Sequence, residues 1–119
     1  MFAVSFDFSI SDLRKYYGDP YHKAYFDMKN IMFKYGFTWI QGSTYVTKDE
    51  DMSILFDLFK ELSQTEWISK SIRDIRAFEM KNWSNFTRQV RNEEKDLLFY
   101  SRVIIAYHGN WACKCHFLL

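Results

Sequence analysis

The chain has 119 residues, 48% of them hydrophobic and 20% aromatic, which fits one domain with its own core and excludes a disordered chain. Lys and Arg number 16 against 15 Asp and Glu, a net charge of +1, so bulk charge does not favour a nucleic-acid partner. The sequence lacks a basic-then-apolar leader, an apolar run of membrane-span length and a disulfide framework, and the expected location is cytoplasmic, with no membrane partner.

Phe2, Val4, Phe6 and Phe8 alternate with Ala3, Ser5 and Asp7, a period of two that predicts a strand with one buried face. Asp7 stands out there, because aspartate is a poor strand former and a carboxylate needs water, a partner or a metal. Ser9 to Gly18 is polar and reads as a helical turn or loop. Asp19-Pro20 predicts a helix start, with Asp19 as cap and Pro20 in the first turn. Tyr21, Ala24, Tyr25, Met28, Ile31, Met32 and Tyr35 draw its apolar face, and Gly36 fits the left-handed cap at its end.

Residues 37–40 and 44–47 read as a hairpin around Gln41-Gly42-Ser43. Thr47 and Glu50 have the spacing of a capping box. Met52, Leu55, Phe56, Phe59 and Leu62 draw the apolar face of the helix it would open, with Asp49, Glu50 and Asp51 at its positive end. Residues 63–71 form a connection pinned by Trp67 and Ile68, and residues 72–80 form a last strand whose alternation is imperfect. Ile72, Phe78 and Met80 fall on one face with Asp74 and Arg76. Residues 84–91 read as a short helical or irregular piece capped by Ser84.

The order strand, helix, strand, strand, helix, strand is the split βαβ arrangement. It predicts an α+β, ferredoxin-like βαββαβ domain, a four-stranded antiparallel sheet with both helices on one face. The uncovered face predicts a two-fold homodimer.

Asp7 leads the candidates for chemistry. Brought together near a two-fold axis, two Asp7 side chains would offer oxygen ligands to a divalent cation such as Mg²⁺, which polarises a phosphate or activates water. A strand-end cap or salt bridge is the competing reading. Asp74, between Arg73 and Arg76, is a second carboxylate or a plain ion pair. Ser43 at the turn hydrogen-bonds a phosphate or its own backbone. Arg73 and Arg76 bind phosphate or cover a surface. Between Lys70 and Arg91 six basic residues meet only Asp74 and Glu79, a local excess that suits phosphates or a solvated face. Cys113, Cys115 and His116 with His108 carry zinc-type ligands, but the C-x-C spacing is shorter than a usual zinc knuckle. The chain has no phosphate-binding Gly-rich loop, nucleophile elbow or HExxH.

Several blocks resemble the virulence-associated protein D family, VapD: Phe2-Ala3-Val4-Ser5-Phe6-Asp7-Phe8, Tyr35-Gly36-Phe37 with Gln41-Gly42-Ser43-x-Tyr45, and Trp67-Ile68-x-x-Ser71-Ile72-Arg73-Asp74-Ile75-Arg76-Ala77-Phe78. Glu50-Asp51-Met52 and Trp83-Ser84-x-Phe86-Thr87 continue the resemblance, which covers residues 1–92. It implies a ferredoxin-like homodimer similar to the CRISPR-associated spacer-acquisition nucleases. It also implies endoribonuclease activity on an RNA substrate, a divalent cation, and a toxin paired with a cognate antitoxin protein. Asp7, Ser43 and Asp74 occupy the positions it marks as functional.

Residues 93–119 depart from the resemblance. They read as an added strand or as translated sequence beyond a lost stop codon, and the lack of clear caps favours the second. Folded over the open sheet face, they would obstruct the dimer and the site. Besides an RNA-cleaving enzyme, the same fold admits a non-catalytic dimer that binds nucleic acid or an antitoxin, and a regulatory dimer with a protein partner. Tyr16, Tyr17 and Trp39, if exposed, are the contacts of that last reading.

Overall fold

The structure is a computed structural model that describes residues 1–92. Met1–Asn82 forms one compact unit, and Trp83 begins a second. The segment 93–119, with Cys113, Cys115, His108 and His116, lies outside the described residues.

Strand β1 (Phe2–Phe8) lies at the centre of a sheet ordered β2-β3-β1-β4, with β2 Thr38–Gln41, β3 Thr44–Thr47 and β4 Ile72–Glu79. Every pairing is antiparallel. The alternation of β1 does what period two requires: Phe2, Val4, Phe6 and Phe8 enter one core with residues of the helices, all on one face. Helix α2 (Lys23–Lys34) contributes Ala24, Met28 and Met32; helix α3 (Ser53–Gln64) contributes Leu55, Leu58 and Leu62. The domain is α+β and ferredoxin-like, as the element order predicts.

Two short helices supplement that plan. Ser9 caps α1 (Ile10–Tyr16) by accepting the Asp12 N–H at 3.4 Å, and Leu13 is fully buried. The connection 63–71 contains α4 (Glu66–Ser71), which buries Ile68 in the core. Trp67 meets Tyr17 edge to face, with ring centroids 4.8 Å apart. Tyr17 is therefore half-buried and not the exposed contact expected, and it donates its hydroxyl proton to Asp27. That hydrogen bond pushes the Tyr17 pKa up to about 12.

Both long helices start later than the sequence suggests, α2 by about three residues and α3 by about five. Asp19-Pro20 is a cis peptide within a turn; α2 begins at Lys23 without a side-chain cap, and Asp19 faces Arg14 at 3.9 Å. The expected capping box is absent. Thr47 accepts the Asp49 N–H, Asp49 accepts that of Asp51, and Asp51 accepts that of Ser53, so these side chains fold the loop ahead of α3. Asp49, Glu50 and Asp51 precede the first turn, which holds no acid. The apolar face of α3 is also rotated: Leu58 is in the core while Met52 and Phe56 are exposed.

Gly36, at φ +83°, ends α2 as expected, with the Phe37 N–H donating to Met32. The uneven alternation of β4 has one cause. The register with β1 shifts between Asp7 and Phe8, which pair with Asp74 and Ile72, leaving Arg73 as an extra residue in a bulge. Ile72 therefore packs with Ile75 against the core instead of sharing a face with Asp74. In the second unit, α5 (Thr87–Val90) has no cap from Ser84; Asn85 accepts the Thr87 N–H at 2.9 Å.

Candidate active site

The core claims the even-numbered residues of β1, so Ala3, Ser5 and Asp7 point to the outer face of the sheet. The register then decides which β4 residues join them. Ala3 is opposite Phe78, Ser5 opposite Arg76, and Asp7 opposite Asp74. Two carboxylates thus face each other on adjacent central strands. Like charges so placed repel, and here each is offset by an arginine. Arg73 approaches Asp7 at 3.5 Å, and Arg76 approaches Asp74 at 2.9 Å.

Arg73 owes its position to the bulge. Strict alternation would send it to the helix face; the extra residue re-aims it toward Asp7. All four side chains are at least half exposed. Ion pairs in water are screened and weak, so the arginines are free to exchange a carboxylate for an incoming phosphate.

Ser43 sits apart from this cluster but at the same end of the sheet. The hairpin tip is tied to β1 by the Phe6 N–H donating to the Ser43 carbonyl at 3.2 Å. Among the described residues the Ser43 hydroxyl makes no hydrogen bond to Asp7 or Asp74. The structure therefore brings Asp7, Asp74, Arg73 and Arg76 together and leaves Ser43 beside them, on the rim of a separate cleft.

That cleft, of about 430 Å³, lies between α2 and the hairpin and is lined by Tyr25, Phe26, Lys29, Trp39, Ser43 and Tyr45 among others. Tyr25 packs edge to face on Phe8. Burial, and then the negative charge of Asp7, push its phenol pKa up. Nothing in the sequence spacing marks Tyr25 as a neighbour of Asp7; the relation arises only when α2 folds back over β1.

Among the described residues no three His, Cys, Asp or Glu come together as a metal site, and the oxygen donors at hand are the Asp7–Asp74 pair. Two carboxylates suit Mg²⁺, which binds one or two of them and fills its shell with water and substrate phosphate.

On the sheet face away from the core, this ferredoxin-like domain carries two opposed carboxylates, each beside an arginine. No family model matches the chain. It is 46% identical over 84 residues to endoribonuclease VapD 1 of Riemerella anatipestifer, covering 71% of this chain and 94% of that one. It is 44% identical to endoribonuclease VapD of Helicobacter pylori, over 77% of this chain and all of the relative. For endoribonuclease VapD of Dichelobacter nodosus the identity is 40%, over 76% and 98%. The chain belongs to the VapD family. Its relatives are matched almost end to end while about a quarter of this chain falls outside the match.

Among the described residues no helix is long and apolar enough to cross a membrane.

Proposed function

We propose that the chain is an endoribonuclease whose chemistry centres on Asp7 and Asp74. One observation carries this reading: the two carboxylates oppose each other in register on the central strands, each beside an arginine. The names of the VapD relatives support the endoribonuclease activity. A phosphodiester entering this face meets Arg73 and Arg76, which neutralise its charge as it builds in the transition state. Asp7, released from Arg73, orients the attacking group and accepts its proton. The bond from phosphorus to the leaving ribose oxygen breaks as the attacking oxygen bonds, and the leaving oxygen takes a proton from water. Asp74 is the second carboxylate beside the reacting phosphate, and Ser43 reaches the strand from the hairpin.

Mg²⁺ or another divalent cation is the proposed cofactor. Bound by Asp7 and Asp74, it would supply a Lewis acid for the phosphate. The dimer is part of the proposal as well. Phe78, half exposed and opposite Ala3 on the outer face, gives that face an apolar patch for a second copy. The role of toxin beside a cognate antitoxin protein rests on the family resemblance alone.

The test is incubation of wild type and Asp7→Asn with end-labelled RNA, with Mg²⁺ or with EDTA. The expected outcome is cutting by the wild type and a loss of at least about 10²-fold in a variant that stays folded. Full activity in Asp7→Asn would sink the assignment. The ends formed separate two routes: a 5′ phosphate and 3′ hydroxyl follow attack by water, and a cyclic phosphate follows attack by the RNA 2′-hydroxyl. A chain ending at Asn92, assayed in parallel, reads the effect of residues 93–119.

A further inference from the structure

The cleft between α2 and the hairpin has a composition that the proposed chemistry does not use. Its floor includes the stacked pair Phe6 and Tyr45, with centroids 6.0 Å apart and planes 15° off parallel. Phe26 and Trp39 line it while 59% and 50% exposed, a cost to a free protein that is recovered when something flat covers them. The Trp39 indole N–H donates to the Gly42 carbonyl at 2.8 Å, so this ring is held in place by the turn. Lys29 stands with its ammonium 5.3 Å from the Trp39 ring centroid. No acidic side chain lines the cleft or pairs with Lys29 among the described residues.

Exposed aromatic faces beside a cation are the elements by which proteins hold single-stranded nucleic acid. The volume suits a single nucleotide. The cleft lies on the helix side of the sheet, at the same end as Asp7 and Asp74 on the outer side. Ser43 lines the cleft, and its carbonyl is bound to Phe6, the residue before Asp7.

We infer that this cleft is a nucleotide subsite of the same protein: an unpaired RNA base stacks on Phe26 and Trp39, and Lys29 binds an adjoining phosphate. The inference rests on the endoribonuclease reading for its choice of RNA as ligand. It assigns the cleft the task of holding one nucleotide at the end of the sheet where Asp7 and Asp74 lie.

The experiment measures binding without cleavage. Fluorescence anisotropy follows a short, end-labelled, single-stranded RNA with 2′-O-methyl groups, titrated with wild type, Phe26→Ala, Lys29→Ala and Phe56→Ala. Phe56 is a still more exposed ring on α3 and serves as the control. Removing Phe26 is expected to weaken binding about tenfold. Removing Lys29 is expected to weaken it and reduce the salt slope by about one. Phe56→Ala should match wild type. Unchanged affinity in both Phe26→Ala and Lys29→Ala, an equal loss in Phe56→Ala, or no binding by wild type overturns the subsite. Loss of dimerisation in Phe26→Ala with unchanged RNA affinity assigns the cleft to a second copy of the chain and also overturns it. The two readings fail separately. Cleft-dependent binding by a wild type that leaves cleavable RNA intact removes the nuclease and keeps the subsite; cutting with an unchanged KM in Phe26→Ala and Lys29→Ala does the reverse.

Discussion

On one face of β1, Phe2, Val4, Phe6 and Phe8 are at most 6% exposed. On the other, Asp7 stands between two of them with 60% of its side chain in water. The inner face is fixed by packing among β1, α2 and α3, where deleting atoms leaves a cavity. The outer face at Asp7 and Asp74 is held by screened ion pairs that can be remade around a ligand. A strand that separates its tasks in this way allows chemistry to change without loss of the fold, and the reverse.

Substitution on the outer face gives the largest expected effect. Asp74→Asn keeps the size and shape of the side chain and removes the charge opposite Asp7. RNA cleavage should fall by roughly 10²–10⁴, the usual contribution of a positioned acid or base, while the melting temperature stays close to wild type. Cleavage at the wild-type rate would reduce Asp74 to an ion-pair partner of Arg76. A large drop in melting temperature would show that the outer face also supports the fold, and the separation of the two faces would fail.

Leu58→Ala makes the opposite cut. Leu58 is fully buried in the core from α3, and the truncation should cost about 2–5 kcal/mol of unfolding free energy. Denaturant unfolding measures it. At a temperature where the variant remains folded, its cleavage rate should match wild type, because Leu58 belongs to the core on the inner face.

The inner face was legible in the sequence because burial writes a period. Alternation marked β1, three- and four-residue spacing marked α2, and Gly36 and Gly42 marked the ends they make. The failures have local causes. Asp19 and Thr47 are good caps, but the chain spends them on turns. On α3 several apolar phases fit the sequence, and packing against β1 chose the one that buries Leu58. The site was legible only in parts. Asp7 and Asp74 each stand out as acids in strands, yet their opposition depends on register, which long-range pairing sets. The bulge that turns Arg73 toward Asp7 has no sequence mark, and the cleft of Tyr25, Phe26, Lys29 and Trp39 exists only once α2 lies against the hairpin.

The smallest expected effect lies at Glu61, which ties the two long helices together. Its carboxylate accepts the Tyr35 hydroxyl at 2.6 Å and pairs with Lys34 at 2.6 Å. The Lys34 hydrogen bond first, then that of Tyr35, holds the Glu61 pKa below the ordinary glutamate value of 4.5. A carboxyl depressed in the folded state contributes stability above its unfolded pKa and loses it as the pH falls through the folded one. Lys34 and Tyr35 are both raised, mainly by hydrogen bonds to Glu61. Their share is present below their unfolded values and is lost as the pH rises through the folded ones. The difference in melting temperature between wild type and Glu61→Gln should therefore be flat from about pH 5 to about pH 9 and narrow on both sides. It should be small, since the pair is partly in water and screened by salt. A difference that stays constant through the acid limb would assign Glu61 to packing instead of charge. Because this contact belongs to the helix layer, the cleavage rate of Glu61→Gln should follow the wild-type pH profile throughout; a displaced profile would mean that the helix layer reports to Asp7 and Asp74 across the sheet.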